Sequence, residues 1–129
     1  MLIGSRFVKT RHYKHVPVGR KIGMQLFSWI VGILGKQRIY DTSSGLKVIR
    51  RDVFELLIKC NFVDFHAEVI IYLLRLGYRL GEYPITVSER QAGKSMHTLF
   101  NHFKYPLKTL LLVIIAVFDA EMKRHEVKK

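Results

Sequence analysis

Asp41-Thr42-Ser43-Ser44-Gly45-Leu46-Lys47-Val48-Ile49-Arg50-Arg51 is the stretch around which this chain is organised. It holds one acid, then small hydrogen-bonding or permissive residues, then a short β-rich run that ends in two arginines. No acidic residue precedes Asp41, and after it acids and bases alternate. Two readings follow from the residues. One is a tight turn between a helix and a strand, capped by Asp41 or a hydroxyl. The other is a place for chemistry on an anionic substrate, because a single carboxylate follows a long basic segment.

Composition narrows the classes. The 129 residues fit one domain with a real hydrophobic core. Lys and Arg number 22 against 10 Asp and Glu, a formal charge of +12. That excess predicts attraction to anions such as nucleic acid, acidic lipid headgroups or phosphorylated small molecules. With 49% hydrophobic residues, the chain is not of the disordered class. Cys60 is the single cysteine, which excludes an intrachain disulfide and a cysteine-based metal motif and favours a reducing compartment. It reads as a packing residue near a helix end. Met1 to Arg6 contains no apolar signal core, so secretion is not supported.

In chain order, Leu2 and Ile3 read as the end of a strand that runs into a loop at Gly4-Ser5-Arg6. Residues 9–21 are densely basic, and either bind an anion or form a solvated surface. Ile22, Leu26, Trp29, Ile30 and Ile33 recur at helical spacing, which predicts a helix over about 20–34 with Gly35 as its C-cap. Arg20 lies near its start, where a phosphate would meet both the guanidinium fork and free backbone N–H groups. Leu46 to Ile49 read as a short strand. Asp52 is the expected N-cap of a helix to about Lys59, with Glu55 as its capping-box partner. A second helix is expected from about Asp64 to Gly77, with Glu68 as a surface carboxylate that suits the helix dipole. Residues 78–87 alternate like a strand, and Pro84 puts it at a sheet edge or bulge.

Residues 88–95 form a polar loop. Its Gly93-Lys94-Ser95 ending is similar to a phosphate-binding P-loop, but Ser88 stands where that motif needs a glycine, so a nucleotide-hydrolase reading is excluded. From about His97 to Ala120 the pattern is helical, with Pro106 kinking the helix or starting a new one. Leu107 to Phe118 is an almost all-round apolar run, shorter than the roughly twenty residues that span a bilayer. Lys104, Tyr105 and Lys108 flank it on one side and Lys123, Arg124, Lys128 and Lys129 on the other. Such flanks suit a helix at a membrane interface or against a partner's transmembrane helix, with a core or oligomer-interface helix as the alternative.

Taken together, these residues resemble the C-terminal half of family 2 glycosyltransferases. The subgroup is the one that transfers sugars to or from polyprenyl phosphates, like dolichol-phosphate mannose synthase. The resemblance is carried by Gly4-Ser5-Arg6-Phe7, Pro17, Arg20, Asp41-Thr42-Ser43-Ser44-Gly45-Leu46 and Asp64-Phe65-His66-Ala67-Glu68. Glu82-Tyr83-Pro84-Ile85, Glu89-Arg90-Gln91-Ala92-Gly93-Lys94-Ser95 and Tyr105-Pro106-Leu107-Lys108 continue it. It implies an α/β fold, a partial GT-A (Rossmann-like) sandwich, and inverting transfer from a nucleotide-sugar. Arg6 and Arg20 match the arginines that hold the lipid phosphate. Met24 stands where some relatives carry an assisting hydroxyl. Asp41 matches the acid near the reaction centre, as a base or as a group that orients its neighbours; a phosphate nucleophile is already anionic and needs little general-base help. Arg90 and Ser95 match a loop that closes over the donor phosphates.

The departures are as informative. A complete enzyme of this type is implied to use a divalent metal, Mg or Mn, held by an Asp-x-Asp motif, and none occurs in this chain. The first βαβ units and the nucleotide pocket are also missing. The expectation is therefore a truncated or split glycosyltransferase, inactive alone. Residues 1–97 would form the C-terminal part of a catalytic domain, and residues 98–129 an interfacial or partner-packing helix with a basic tail. The implied partners are a nucleotide-sugar, a polyprenyl phosphate and the cytoplasmic face of a membrane as a peripheral protein, with a membrane subunit or homo-oligomer covering the apolar helix. Two other classes compete: a basic nucleic-acid-binding module, disfavoured because no strand face interleaves aromatics with bases, and a non-enzymatic membrane-associated accessory subunit.

Overall fold

The computed structural model describes residues 1–9, 18–60, 62, 65–86 and 101–127. Among them, a small three-stranded mixed sheet is combined with four helices. The strands are β1 (Leu2–Ser5), β2 (Lys47–Val48) and β3 (Gly81–Pro84), and the helices are α1 (Val18–Gly35), α2 (Arg51–Ile58), α3 (Ala67–Arg75) and α4 (Asn101–Val127).

The sheet order is β2-β1-β3. The centre goes to β1, whose Ile3, Gly4 and Ser5 are all buried. It pairs antiparallel with β2, Leu2 opposite Val48, and parallel with β3, from Leu2 opposite Gly81 to Ser5 opposite Pro84. Both flanking strands are short, and β3 ends in the proline that cannot donate to a further ladder, as the sequence anticipates for an edge.

α3 forms the core. Its residues Ala67 to Leu73 are consecutively buried, a pattern possible only for a helix covered on every side. It packs between α1 and α4, and Ile3, Val31, Val53, Leu57, Val113, Ala116 and Ala120 close the cluster around it. Burying each of its large side chains contributes about 1.5–3 kcal/mol. Gly77, at φ +88°, ends the helix region in the left-handed conformation, and the Tyr78 N–H reaches back to the Leu73 carbonyl at 3.0 Å.

Several expectations are corrected. Asp52 is not the N-cap of α2; Arg50 is, without a side-chain cap, and Asp52 lies in the first turn paired to Arg50 at 2.5 Å. Glu55 pairs with Arg51 at 3.0 Å rather than closing a capping box. After α1 the left-handed residue is Lys36 at φ 58°, not Gly35. Gly35 serves a close approach instead: a Cβ there would stand 2.5 Å from Cδ1 of Leu74 on α3. α4 runs unbroken through Pro106, so no new helix starts there. On α1 the predicted apolar arc is only partly used. Val31 is buried, while Ile22, Leu26, Trp29 and Ile33 remain exposed. The predicted start of the second helix near Asp64 lies outside the described residues.

Arg75 joins the three helices. It donates to the Leu34 carbonyl at the end of α1 at 3.1 Å and to the Glu121 carboxylate on α4. No described helix is long and apolar enough to cross a membrane.

Candidate active site at the Asp41 loop

The candidate site forms where β1 ends. The Ser5 hydroxyl accepts from the N–H groups of Phe7 at 3.3 Å and Val8 at 3.1 Å, turning the chain and leaving Arg6 at the corner. Residues 41–44 form a turn opposite this corner, closed by the Ser44 N–H on the Asp41 carbonyl at 3.3 Å. The Ser44 hydroxyl ties the turn to the sheet, donating to the Gly4 carbonyl at 2.5 Å and accepting from the Leu46 N–H at 3.2 Å. Gly4 in turn donates to the Leu46 carbonyl at 2.9 Å. A side chain at Gly4 would press on Leu46 Cδ2 at 2.9 Å and on the Ile85 side chain at 3.2 Å, so glycine lets these side chains close over the strand.

Arg6 and Asp41, both singled out from the sequence, meet directly. Asp41 Oδ2 accepts from the Arg6 backbone N–H at 3.1 Å and from Nε at 2.8 Å, and Oδ1 accepts from Nη2 at 2.8 Å. The Ser43 hydroxyl lies 3.3 Å from the same Nη2. The Asp41 side chain is fully buried, whereas 28% of the Arg6 side chain is exposed. The hydrogen bonds that Arg6 donates to the Asp41 carboxylate push the Arg6 pKa above its usual value. Arg6 also stacks over the Phe7 ring at 5.1 Å, and Phe7 packs with Met24 and Tyr40 in a small second cluster. Met24 is thus an apolar support for Phe7 beside the Arg6 corner.

The loop is held from its other side by Glu82 on β3. Its Oε2 accepts from the Tyr40 N–H and its Oε1 from the Asp41 N–H, each at 2.9 Å. Lys47, the first residue of β2, donates its ammonium to the Ser44 carbonyl. Burial lowers the Lys47 pKa, partly offset by the charges of Asp41 and Glu68. Glu68 is 1% exposed and accepts from the His66 N–H at 3.1 Å. The surface carboxylate expected at that position is therefore a buried one, because α3 is enclosed all round. Beside the loop, Ser44, Gly45, Lys47, Ile49, Phe54, Phe65 and His66 line an open groove of about 350 Å³.

The remaining predicted residues are not brought into this picture. Arg20 is in the first turn of α1, but its side chain lies outside the described ones. Arg90 and Ser95, the expected donor-phosphate loop, also fall outside the described residues. Among the described residues no group of three or more His, Cys, Asp or Glu side chains is placed to hold a metal ion. The two carboxylates at the site do not fit a divalent metal: Asp41 is engaged by Arg6 and Glu82 by two backbone N–H groups. Lys47 is singled out by nothing in the sequence, and Glu68 and Glu82, although they stand in motifs that carry the resemblance, are assigned no part in the site there. For Glu82 a usable signal exists, a lone acid in a strand whose neighbours are apolar.

Comparison with known proteins adds a relationship. The chain is 24% identical over 123 residues to the UDP-N-acetylglucosamine--dolichyl-phosphate N-acetylglucosaminyltransferase of Methanococcus voltae, covering 92% of this chain and 49% of that enzyme. It is 26% identical over 115 residues to an uncharacterized protein of Methanocaldococcus jannaschii, covering 86% of this chain and 47% of that protein. The chain therefore spans about half the length of the curated relatives it matches. No protein-family profile and no solved structure matches. The likeness over nearly the whole chain supports a distant glycosyltransferase-like relationship.

Proposed function

We propose that this chain is the acceptor-side, C-terminal half of a family 2, GT-A-type glycosyltransferase that moves a sugar from a nucleotide-sugar to a polyprenyl phosphate at the cytoplasmic face of a membrane. The observation that carries the reading is the Arg6–Asp41 pair. A buried carboxylate grips one edge of a guanidinium whose remainder reaches the surface at the end of the central strand. Such a fork is pre-organised for a phosphate oxygen. The relative's dolichyl-phosphate acceptor is in keeping with it. With its oxygens directed at the guanidinium, Asp41 acts by orienting Arg6 rather than by taking a proton. Arg20 would join Arg6 on the acceptor phosphate, and Arg90 with Ser95 would close over the donor. Residues 1–97 belong to the catalytic domain and residues 98–129 to the membrane-facing helix. The divalent metal of a complete enzyme has no place in the described site, and no step is drawn through it.

Two exposed apolar stripes support the membrane surface as location. Ile22, Leu26, Trp29 and Ile33 form one on α1; Leu107, Leu111, Ile114 and Phe118 form the other on α4. Combined with the +12 charge, they suit an interface rich in anionic lipid.

The decisive experiment is titration of the purified chain with geranyl phosphate, followed through the Arg6 Nε–H signal by NMR. Saturable binding is expected in the parent, Arg6→Ala should abolish it as read by the phosphorus signal of the geranyl phosphate, and the chain alone should transfer no sugar. Absence of any shift at Arg6, or transfer by the isolated 129 residues, would overturn the reading. Flotation with anionic liposomes should weaken on removal of residues 104–129; unchanged flotation would sink the membrane part.

A further inference from the structure

We infer that Glu82 is a positioning residue of this site, which sets the Asp41 loop through main-chain hydrogen bonds and thereby sets where an anion can bind. The inference rests on the acceptor-site reading above for its ligand, but not for its geometry.

The physical case begins with the two adjacent N–H groups of Tyr40 and Asp41. Consecutive N–H groups that converge on one point make a backbone anion site. Left open, this one would compete with Arg6 for an incoming phosphate. Glu82 fills it with an internal anion, one oxygen per N–H at 2.9 Å. Its two bonds are charge-assisted, the stronger kind. They also span the fold: Glu82 lies opposite Ile3 in the β1–β3 ladder, while the loop it grips is 41–42 residues away in sequence.

The consequence reaches Arg6 through a single residue. Asp41 is held by its N–H on one side and holds Arg6 by its carboxylate on the other. A shift of the Asp41 backbone moves the carboxylate, and the fork that depends on it turns. Glu82 does not touch the ligand. It fixes the residue that fixes the guanidinium, and it leaves Arg6 as the anion-binding group instead of the loop amides.

The test uses the whole chain and two variants. Glu82→Gln keeps size and shape but can accept from only one of the two N–H groups. Glu82→Asp keeps the charge but is one methylene too short to bridge both. Two readouts are taken on each: amide hydrogen exchange at Tyr40 and Asp41, and geranyl phosphate affinity followed at the Arg6 Nε–H, with inorganic phosphate and geraniol as separate arms. In Glu82→Gln, exchange at the amide that loses its acceptor should quicken about tenfold or more, corresponding to about 1.4 kcal/mol. Geranyl phosphate affinity should fall by a similar factor while α3 amides keep their protection. Tight binding of inorganic phosphate gained at the freed loop amides would also support the inference. A Glu82→Gln protein with an intact α3 and an affinity within twofold of the parent would overturn it. If the parent itself binds no geranyl phosphate, the acceptor reading fails. The exchange readout still decides Glu82, and unchanged exchange in both variants refutes the positioning role.

Discussion

The unequal exposure of the two partners in the Arg6–Asp41 pair makes the two single deletions unequal. Removing Arg6 strands a fully buried carboxylate, whereas removing Asp41 leaves a guanidinium that is 28% exposed and can turn toward water. Breaking a buried pair by deleting one partner costs about 3–5 kcal/mol, and Arg6→Ala should fall in that range because Asp41 also loses the Nε and Nη2 donors at 2.8 Å. Asp41→Asn keeps one acceptor oxygen and should cost about 1.5–3 kcal/mol, the range for one hydrogen bond to a charged group. In the double variant the stranded charge is absent, so its cost should be smaller than the sum by at least about 1.5 kcal/mol, well outside the scatter of independent sites. Urea denaturation of the four proteins, read by circular dichroism with m held common, measures all three terms. Equal costs for the two single variants, or an Arg6→Ala cost below about 1 kcal/mol as for an exposed ion pair, would refute the buried-carboxylate account of the site.

Other predictions concern the frame around it. Lys36→Gly should stabilise the chain by about 0.5–1 kcal/mol by relieving a side chain at φ 58°, while Gly35→Ala should cost about 1–3 kcal/mol by driving a methyl into Leu74; a thermal melt of each decides. Gly45→Ala should be neutral within about 0.5 kcal/mol, since no atom lies within 4 Å of a Cβ there. Burial and the hydrogen bond with Cys60 push the Tyr72 hydroxyl up to about 12. The folded state therefore keeps a proton that the unfolded state releases near pH 10, and stability should be lost as pH rises from about 10 toward 12. Tyr72→Phe should show a shallower decline over that window in alkaline melts, and equal slopes would count against the assignment.

The helices are legible because helix signals are local: α1 falls where the apolar spacing puts it, α2 and α3 lie within a few residues of their expected spans, and α4 overlaps its expected span but continues to Val127. Errors arose where one residue had two physical uses. Gly35 suggested a left-handed cap, but it admits Leu74, and the cap conformation fell on Lys36. Asp52 and Glu55 look like a capping pair, but Arg50, two residues before the first, and Arg51, one helical turn before the second, claim them. Glu68 reads as a surface acid because it lies in the first turn of its helix, where a carboxylate suits the dipole; the apolar run from Val69 to Leu74 is the sign that the helix is enclosed. At the site, Arg6 and Asp41 were visible as candidates, but their pairing across 35 residues was not. The Glu82 bridge was less visible still, because its partners are main-chain N–H groups that carry no sequence signature.

The β1–β3 ladder joins residue 2 to residue 81, and the Met1 ammonium adds a bond to the Arg79 carbonyl. Closing a loop of that length costs entropy that grows with the logarithm of its span, and contacts so distant in sequence form slowly. The helices between can organise from local contacts, but Arg6 follows β1 directly and Glu82 lies on β3, and these strands meet only at that closure. On a ribosome, the Glu82-braced Asp41 loop cannot exist until β3 has emerged. In a refolding chain pulsed with deuterium, protection at Ile85, whose N–H bonds the Ser5 carbonyl, and at Asp41, whose N–H bonds Glu82, should therefore arrive together and after that of α3.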